Sequence, residues 1–168
     1  MNRARVLLVV LLVLVVQTSA VSRLRIAGVV PDTMLLVAIC AGIVGGPDRG
    51  AVVGFISGIA LDLFLVTTPV GLSALVFSLM GYGVGLVAEG TVRSAWWIPV
   101  LTAGAASAIG SVAFALTANV VAGADFVGPR LTVVAPVVGI ANAVLAPIAL
   151  RLVSWTIRPT ERRTVLAP

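Results

Sequence analysis

The chain alternates between long apolar runs and short polar segments. The polar segments gather proline, glycine, aspartate and arginine, and the first three of these residue types favour turns and helix ends. An apolar run of about 20 residues is long enough to cross a bilayer as an α-helix. The pattern therefore predicts an all-α integral membrane protein, a six-transmembrane-helix bundle with helices at about 6–27, 33–46, 49–66, 72–88, 96–122 and 131–157.

The second apolar run is too short to cross a bilayer by itself. Between residues 33 and 46 a helix would extend only about 20 Å, against a hydrocarbon core of about 30 Å. Asp32, just before the run, can cap its first turn. We expect neighbouring helices to screen this segment, or the bilayer to thin around it.

The first apolar run has two interpretations. A charged start, an apolar stretch from Val6 to Val16 and the small residues Thr18 and Ala20 are typical of a signal peptide. The alternative is a retained first helix. We expect retention, because the rest of the chain is itself embedded in the membrane and needs no cleavage to be released.

Composition supports the membrane class. The 168 residues are 60% hydrophobic and 10% charged, with a mean hydropathy of +1.20. A soluble domain is about one quarter charged, and one of this size could not hide so much apolar surface. The net charge of +5 comes from arginines placed between apolar runs. That spacing differs from the clustered basic face of nucleic-acid-binding proteins, so no nucleic acid is expected as a partner.

The arginines also predict an orientation, because cytoplasmic loops are enriched in basic residues. With six helices both ends of the chain lie on one side, and that side carries seven arginines against three on the other. We therefore expect one transmembrane domain over residues 1–168, cytoplasmic termini and a polar cytoplasmic tail over 158–168. The seven are Arg3, Arg5, Arg49, Arg93, Arg158, Arg162 and Arg163, and the three are Arg23, Arg25 and Arg130.

The residue inventory disfavours an enzyme. The chain has no histidine, which removes the Ser-His-Asp and Cys-His routes to a nucleophile and the commonest zinc ligand. Its one cysteine, Cys40, lies in an apolar run, where a buried thiol is expected. No phosphate loop and no pair of carboxylates at acid–base spacing is present. We therefore expect no catalytic residue, no metal site and no cofactor.

Glycines recur along the third and fourth helices. Gly50, Gly54 and Gly58 share one helical face, and Gly81 and Gly85 repeat the same spacing. Helices in lipid associate through close backbone contact, which small residues permit. These five glycines are therefore candidate helix-packing or partner-binding residues: the face either packs within this bundle or forms a groove for another helix.

Two polar side chains stand out within the apolar runs. Asp62 follows the glycine face of the third helix, and carboxylates in hydrocarbon usually face the bundle interior or water. It could pair with an outer arginine, bind a transported cation or proton, or accept hydrogen bonds from the turn at 67–71. Asn142 lies well inside the sixth helix, where an interhelical hydrogen bond is expected. Both are candidate structural polar residues.

The stretch "PDTMLLVAICAGIVGGPDRGAVVGFISGIALDLFLVTTPVGLSALVFSLMGYGVG" (31–85) carries these features in a fixed order. The order resembles the core of the rod shape-determining protein MreD family, and the resemblance covers about a third of the chain. The motifs that carry it are Pro31-Asp32, the turn from Gly46 to Gly50, Gly54/Gly58/Asp62, Pro69/Gly71/Leu72/Ala74 and Gly81/Tyr82/Gly85.

The resemblance implies a non-enzymatic component of the bacterial elongation machinery in the cell membrane. It implies MreC, a single-pass protein, as the partner, and indirect association with MreB, RodA and a class B penicillin-binding transpeptidase. The family is similar in fold to the substrate-binding subunits of energy-coupling-factor transporters. A small-molecule transporter subunit is therefore the rival interpretation, although such a subunit needs several convergent polar groups and the outer half of this chain has few.

Overall fold

A computed structural model describes residues 3–19, 28–64, 70–90, 97–123, 128 and 131–157. Within these ranges the chain is all-helical, and the prediction of six helices is confirmed. Three of the described helices, α4, α5 and α6, are long and apolar enough to cross a membrane, and α1 and α2 are shorter apolar helices. The six are α1 (Arg3–Ser19), α2 (Thr33–Gly45), α3 (Pro47–Phe64), α4 (Leu72–Gly90), α5 (Trp97–Ala122) and α6 (Leu131–Ile157).

The helix limits follow the polar segments closely. Helix α6 has the predicted bounds. Four other helices differ from the prediction by one to three residues at one end: α1 begins at Arg3, α2 ends at Gly45, α3 begins at Pro47 and α4 ends at Gly90. Proline fits the first position of a helix because its φ is helical and its missing N–H would have no partner there. The predicted ends of the first helix (20–27) and of the third helix (65–66) lie outside the described residues.

Helix α2 occupies the centre of the bundle. It contacts all five of the other described helices, and those five form a closed ring in the order α1, α3, α4, α5, α6 and back to α1. Every residue of α2 from Thr33 to Ile43 is buried. A helix that is apolar all round belongs in an interior, and the ring screens its length of about 20 Å from lipid.

Both ends of α2 are closed by local hydrogen bonds. The Asp32 carboxylate accepts from the backbone amides of Met34 at 3.1 Å and Leu35 at 3.0 Å, as an N-cap does. At the other end Gly46 adopts φ 84° and donates its amide to the Gly42 carbonyl at 2.9 Å. That left-handed conformation favours glycine, and it turns the chain directly into α3.

The helices alternate in direction, so the bundle has two ends. We call the terminal end the one where α1 begins and α6 ends, and the distal end the opposite one. Helices α2 and α3 meet α6 at the terminal end, where Gly45 lies against Arg49 and Ile157. Asp62, Gly71 and the start of α4 lie at the distal end.

Candidate functional site

The glycine face of α3 lies against α4. At each of Gly50, Gly54 and Gly58 an added Cβ would overlap backbone atoms of α4. At Gly54 it would lie 2.6 Å from the carbonyl carbon of Phe77, a distance that real side chains do not adopt. The two backbones therefore touch over about two turns, and only glycine permits this approach.

A second close contact joins three helices at one point. Gly42 of α2, Gly50 of α3 and Gly81 of α4 meet so closely that a Cβ on any of them would overlap backbone of another. Nearer the terminal end, a Cβ at Gly85 would lie 2.5 Å from the backbone of Pro47. The structure thus brings all five sequence-predicted glycines into one interface, and the occupant of the α3 groove is α4 of the same chain.

Hydrogen bonds reinforce this interface. The Ser78 hydroxyl of α4 donates to the Ala51 carbonyl of α3 at 3.0 Å. At the distal end one oxygen of Asp62, Oδ2, accepts from the backbone amides of Gly71 at 2.8 Å and Ser73 at 3.2 Å, with the Ala74 amide at 3.5 Å. These amides lie just before and within the first turn of α4, where backbone N–H groups have no acceptor inside the helix.

Asp62 therefore does the work that an N-cap side chain usually does. Gly71 precedes α4 with φ 102°, a left-handed conformation that favours glycine and leaves that position without a side-chain oxygen. The carboxylate of α3 supplies the missing acceptor from a different helix, and its negative charge is favourable at a helix N-terminus. Asp62 is 2% exposed, so little water competes for these amides.

The other Asp62 oxygen, Oδ1, has no hydrogen-bond partner among the described residues. Asp62 also forms no ion pair within those ranges. The arginines that sequence reasoning offered as partners, Arg23, Arg25 and Arg130, lie outside the described residues, as do Thr67 and Thr68.

A second polar cluster ties α1 and α6 to the start of α2. Asn142 of α6 is fully buried, and its Nδ2 donates to the Asp32 carbonyl at 2.9 Å. From α1, the Gln17 amide donates to the Pro31 carbonyl at 2.9 Å. The Gln17 carbonyl oxygen accepts from the backbone amide of Thr33 at 3.1 Å and also from the Thr33 hydroxyl. Two helices thus converge on three consecutive residues, 31–33, at the start of a third.

Sequence reasoning missed Gln17 and Gly42. Gln17 lies within the predicted first helix (6–27) and was not singled out, yet it is the one amide side chain of α1. A lone amide at the end of a lipid-embedded helix signals an interhelical hydrogen bond, since its donors and acceptor need partners. Gly42 is a small residue that permits close helix contact, as Gly50 and Gly54 are. It lies in a run where every residue is apolar, so nothing in the local sequence sets it apart.

Side chains with chemical reactivity are spread apart. Cys40 is a buried free thiol in the middle of α2. Within the described ranges no three His, Cys, Asp or Glu residues lie close enough together to hold a metal ion. Asp62 and Asn142 hold backbone groups of neighbouring helices, so the arrangement positions helices.

At the terminal end, α1 and α6 meet through a basic and an aromatic side chain. The Arg5 guanidinium lies over the Trp155 ring, 4.9 Å from the ring centroid. Trp155 is half exposed, and Arg151 lies one turn before it on α6 and is exposed. A cation over an indole ring is an attractive contact, and it holds the first helix to the last one.

Comparison with known proteins places the chain in one family. The family model for rod shape-determining protein MreD matches residues 2–153, which is nearly the whole chain. No curated protein and no solved structure gave a match. The match extends the resemblance of residues 31–85 through all six helices but the last few residues of α6. The chain therefore belongs to the MreD family of membrane proteins, which act in the determination of rod shape.

Proposed function

We propose that this protein is a non-enzymatic, multi-pass component of the bacterial cell membrane that binds MreC and helps to organise peptidoglycan synthesis along the lateral wall. Membership of the MreD family supports the shape-determining role. Indirect association with MreB, RodA and a class B penicillin-binding transpeptidase follows through MreC. Three helices able to cross a membrane support the location.

One observation carries the scaffold role: the candidate polar side chains and the candidate glycines make their contacts with neighbouring helices of the same bundle. Asp62 caps α4, Asn142 holds the start of α2, and Gly50, Gly54 and Gly81 let backbones touch. Groups committed in this way fix the shape of the bundle. A fixed shape is what a protein needs in order to present a constant surface to a partner.

MreC is proposed to bind the outside of the ring. The α3 glycine groove is filled by α4, so a partner helix would have to displace that contact to enter it. The outer faces of the ring helices carry exposed large apolar side chains, which suit a transmembrane helix as well as lipid.

Affinity purification of the full chain from membranes tests the proposal. MreC should co-purify with the wild-type protein. Cells that lack the gene should lose rod shape and regain it with the wild-type gene. A folded protein that brings down no MreC would refute the partner, and a bound small molecule in its place would favour a transporter subunit.

The proposed topology has six crossings and cytoplasmic termini. The arginine asymmetry supports it, and the closed ring supports a full crossing by α1 and α3, since each lies between two other ring helices. Single cysteines at positions 127 and 162, in a Cys40→Ala background, test it. An impermeant reagent should label position 127 in intact cells and position 162 only after lysis, and the reverse pattern would refute the orientation.

A further inference from the structure

The terminal end of α1 and α6 carries a cluster of two arginines and a tryptophan, and the contact that holds α1 to α6 leaves Arg151 and the exposed side of this cluster unused. Arg5 lies over Trp155, 4.9 Å from its centroid, and Arg151 precedes Trp155 by four residues, which places both on one face of α6. Trp155 and Arg151 are exposed and Arg5 is partly exposed. Among the described residues neither arginine has a carboxylate partner.

The position of Arg151 along α6 places its guanidinium near the lipid headgroups. It lies six residues before the end of α6, which corresponds to about 9 Å of helix. A guanidinium at that depth extends toward the membrane surface, where lipid phosphates are the abundant anions. Tryptophan is enriched at the same level, because its ring is apolar and its N–H is polar.

The surface that leads to Arg151 is apolar. Val144 and Ile148 precede Arg151 on the same face of α6 and are 72% and 61% exposed. On the neighbouring helix Leu8 and Leu12 are also exposed, with Arg5 beyond them toward the terminal end. Two parallel apolar stripes therefore end at two arginines, which matches an acyl chain followed by a charged headgroup.

The space beneath the cluster limits how a ligand can bind. A cavity of about 10 Å³ lies between α1, α2, α3 and α6, lined by valines and Thr156. That volume is about what one water molecule occupies, so an acyl chain cannot enter between the helices. A ligand of Arg5 and Arg151 must lie on the outer surface of α1 and α6.

We propose that Arg5, Arg151 and Trp155 form a binding site for the phosphate of an anionic phospholipid at the terminal end of the bundle. The two guanidiniums bind the phosphate oxygens, and the Trp155 ring fixes Arg5 in position for it. The acyl chain lies along Val144 and Ile148. A bound lipid at this point bridges the first and last helices.

The test uses the full chain in non-ionic detergent and measures the midpoint of thermal unfolding. Phosphatidylglycerol, phosphatidylcholine and inorganic phosphate are titrated separately. Phosphatidylglycerol should raise the midpoint at concentrations where the other two do not. Arg5→Gln and Arg151→Gln should each raise the half-maximal phosphatidylglycerol concentration about five-fold, since one basic residue near a lipid surface contributes about that factor.

Two further variants serve as controls, one for loss of folding and one for a general effect of removing positive charge. Arg151→Lys keeps the charge and should lose less than Arg151→Gln, because lysine cannot bind phosphate in a bidentate manner. Arg49→Gln removes an exposed arginine of the terminal end that belongs to α3, which contributes no residue to the proposed site, and it should respond like the wild type.

Several results would overturn the proposal. Equal responses to phosphatidylglycerol and phosphatidylcholine would remove the headgroup preference, and unchanged responses in both arginine-to-glutamine variants would remove the site. Inorganic phosphate as potent as the lipid would identify a free anion as the ligand. Loss of a co-purified protein in Arg151→Gln, with the lipid response intact, would identify an acidic protein segment as the occupant.

Discussion

The α3–α4 pair and helix α1 are held to the same bundle by different means. Between α3 and α4, glycines allow the two backbones to touch, and Ser78 and Asp62 add hydrogen bonds across the contact. Helix α1 has no glycine. It packs through four buried side chains, Val6, Val9, Val10 and Leu14. Its exposed apolar side chains are Leu7, Leu8, Leu11, Leu12, Val15 and Val16.

This difference has consequences in lipid that it would not have in water. Burial of a valine in the bundle removes it from acyl chains of similar polarity, so the hydrophobic effect contributes little to helix association. Close backbone packing and interhelical hydrogen bonds then determine which helices stay together. On this argument α3 and α4 form the rigid centre with α2, and α1 depends on the hydrogen bonds of Gln17.

The largest effect is expected from Gly54→Leu. Its side chain would occupy the position of the Phe77 backbone, so α3 and α4 would have to separate along their contact. Overpacking of this kind should lower the free energy of unfolding by about 3 kcal/mol or more. Yield and thermal midpoint in detergent measure it.

Gly83→Leu is the matched control for that variant. Gly83 lies in α4, and nothing lies within 4 Å of the position that its Cβ would take. The substitution should leave yield and midpoint close to the wild-type values. Equal tolerance of leucine at both positions would contradict the close packing of α3 and α4.

Asp62→Leu is expected to have the next largest effect. It leaves the amides of Gly71 and Ser73 without an acceptor in a site that is closed to water, which should cost about 2–3 kcal/mol. Asp62→Asn keeps one acceptor oxygen and should cost about 1 kcal/mol. Thermal midpoints of the two variants separate these outcomes.

Asparagine as harmful as leucine would point instead to an ion pair with an arginine outside the described residues, because a charge would then be left without its partner. Two stable variants that both fail to support rod growth would indicate a coupled cation or proton, and would favour the transporter interpretation.

The pattern of apolar runs was sufficient to predict the helices. Polar segments rich in proline and glycine determine where helices stop, so the bounds of α6 agree and those of α1 to α4 differ by at most three residues at their described ends. The order of helices around α2 could not be predicted. Apolar runs without a polar face carry no information about which side faces a neighbour, because lipid and protein interior are equally apolar.

The residues of the candidate site could be predicted where they differ in type from the apolar residues around them. Asp62 and the repeated glycines stood out from apolar surroundings, and three partners for Asp62 remained open because the reach of one side chain includes all of them. Its contacts with Ser73 and Ala74 depend on how α3 and α4 pack. Gln17 and its three contacts depend on the return of the chain to residues 31–33, which no local pattern encodes.

Gln17→Leu should loosen α1 with a smaller loss of stability. The substitution removes the hydrogen bonds to Pro31 and Thr33, and interhelical hydrogen bonds in membranes contribute about 0.6–2 kcal/mol each. We expect a loss of about 1–2 kcal/mol and faster hydrogen exchange in α1 than in α3. Val16→Ala, on the outward face of α1, should change neither measurement, and protection of α1 equal to the wild type in Gln17→Leu would refute its role.

The smallest effect compares one residue type in both regions. Val10 of α1 and Val76 of α4 are each 2% exposed, so truncation to alanine removes the same atoms from equally buried positions. The cost of such a truncation depends on how far the surroundings close over the space that it leaves. Around Val76 the glycine contacts already fix the distance between α3 and α4, so the space stays open and Val76→Ala should cost about 2 kcal/mol. Val10 adjoins the cavity of about 10 Å³, where α1 is free to shift toward its neighbours, and Val10→Ala should cost about 1 kcal/mol or less. Thermal midpoints of the two variants in the same detergent decide the matter, and a larger loss for Val10→Ala would mean that α1 is as firmly packed as α4.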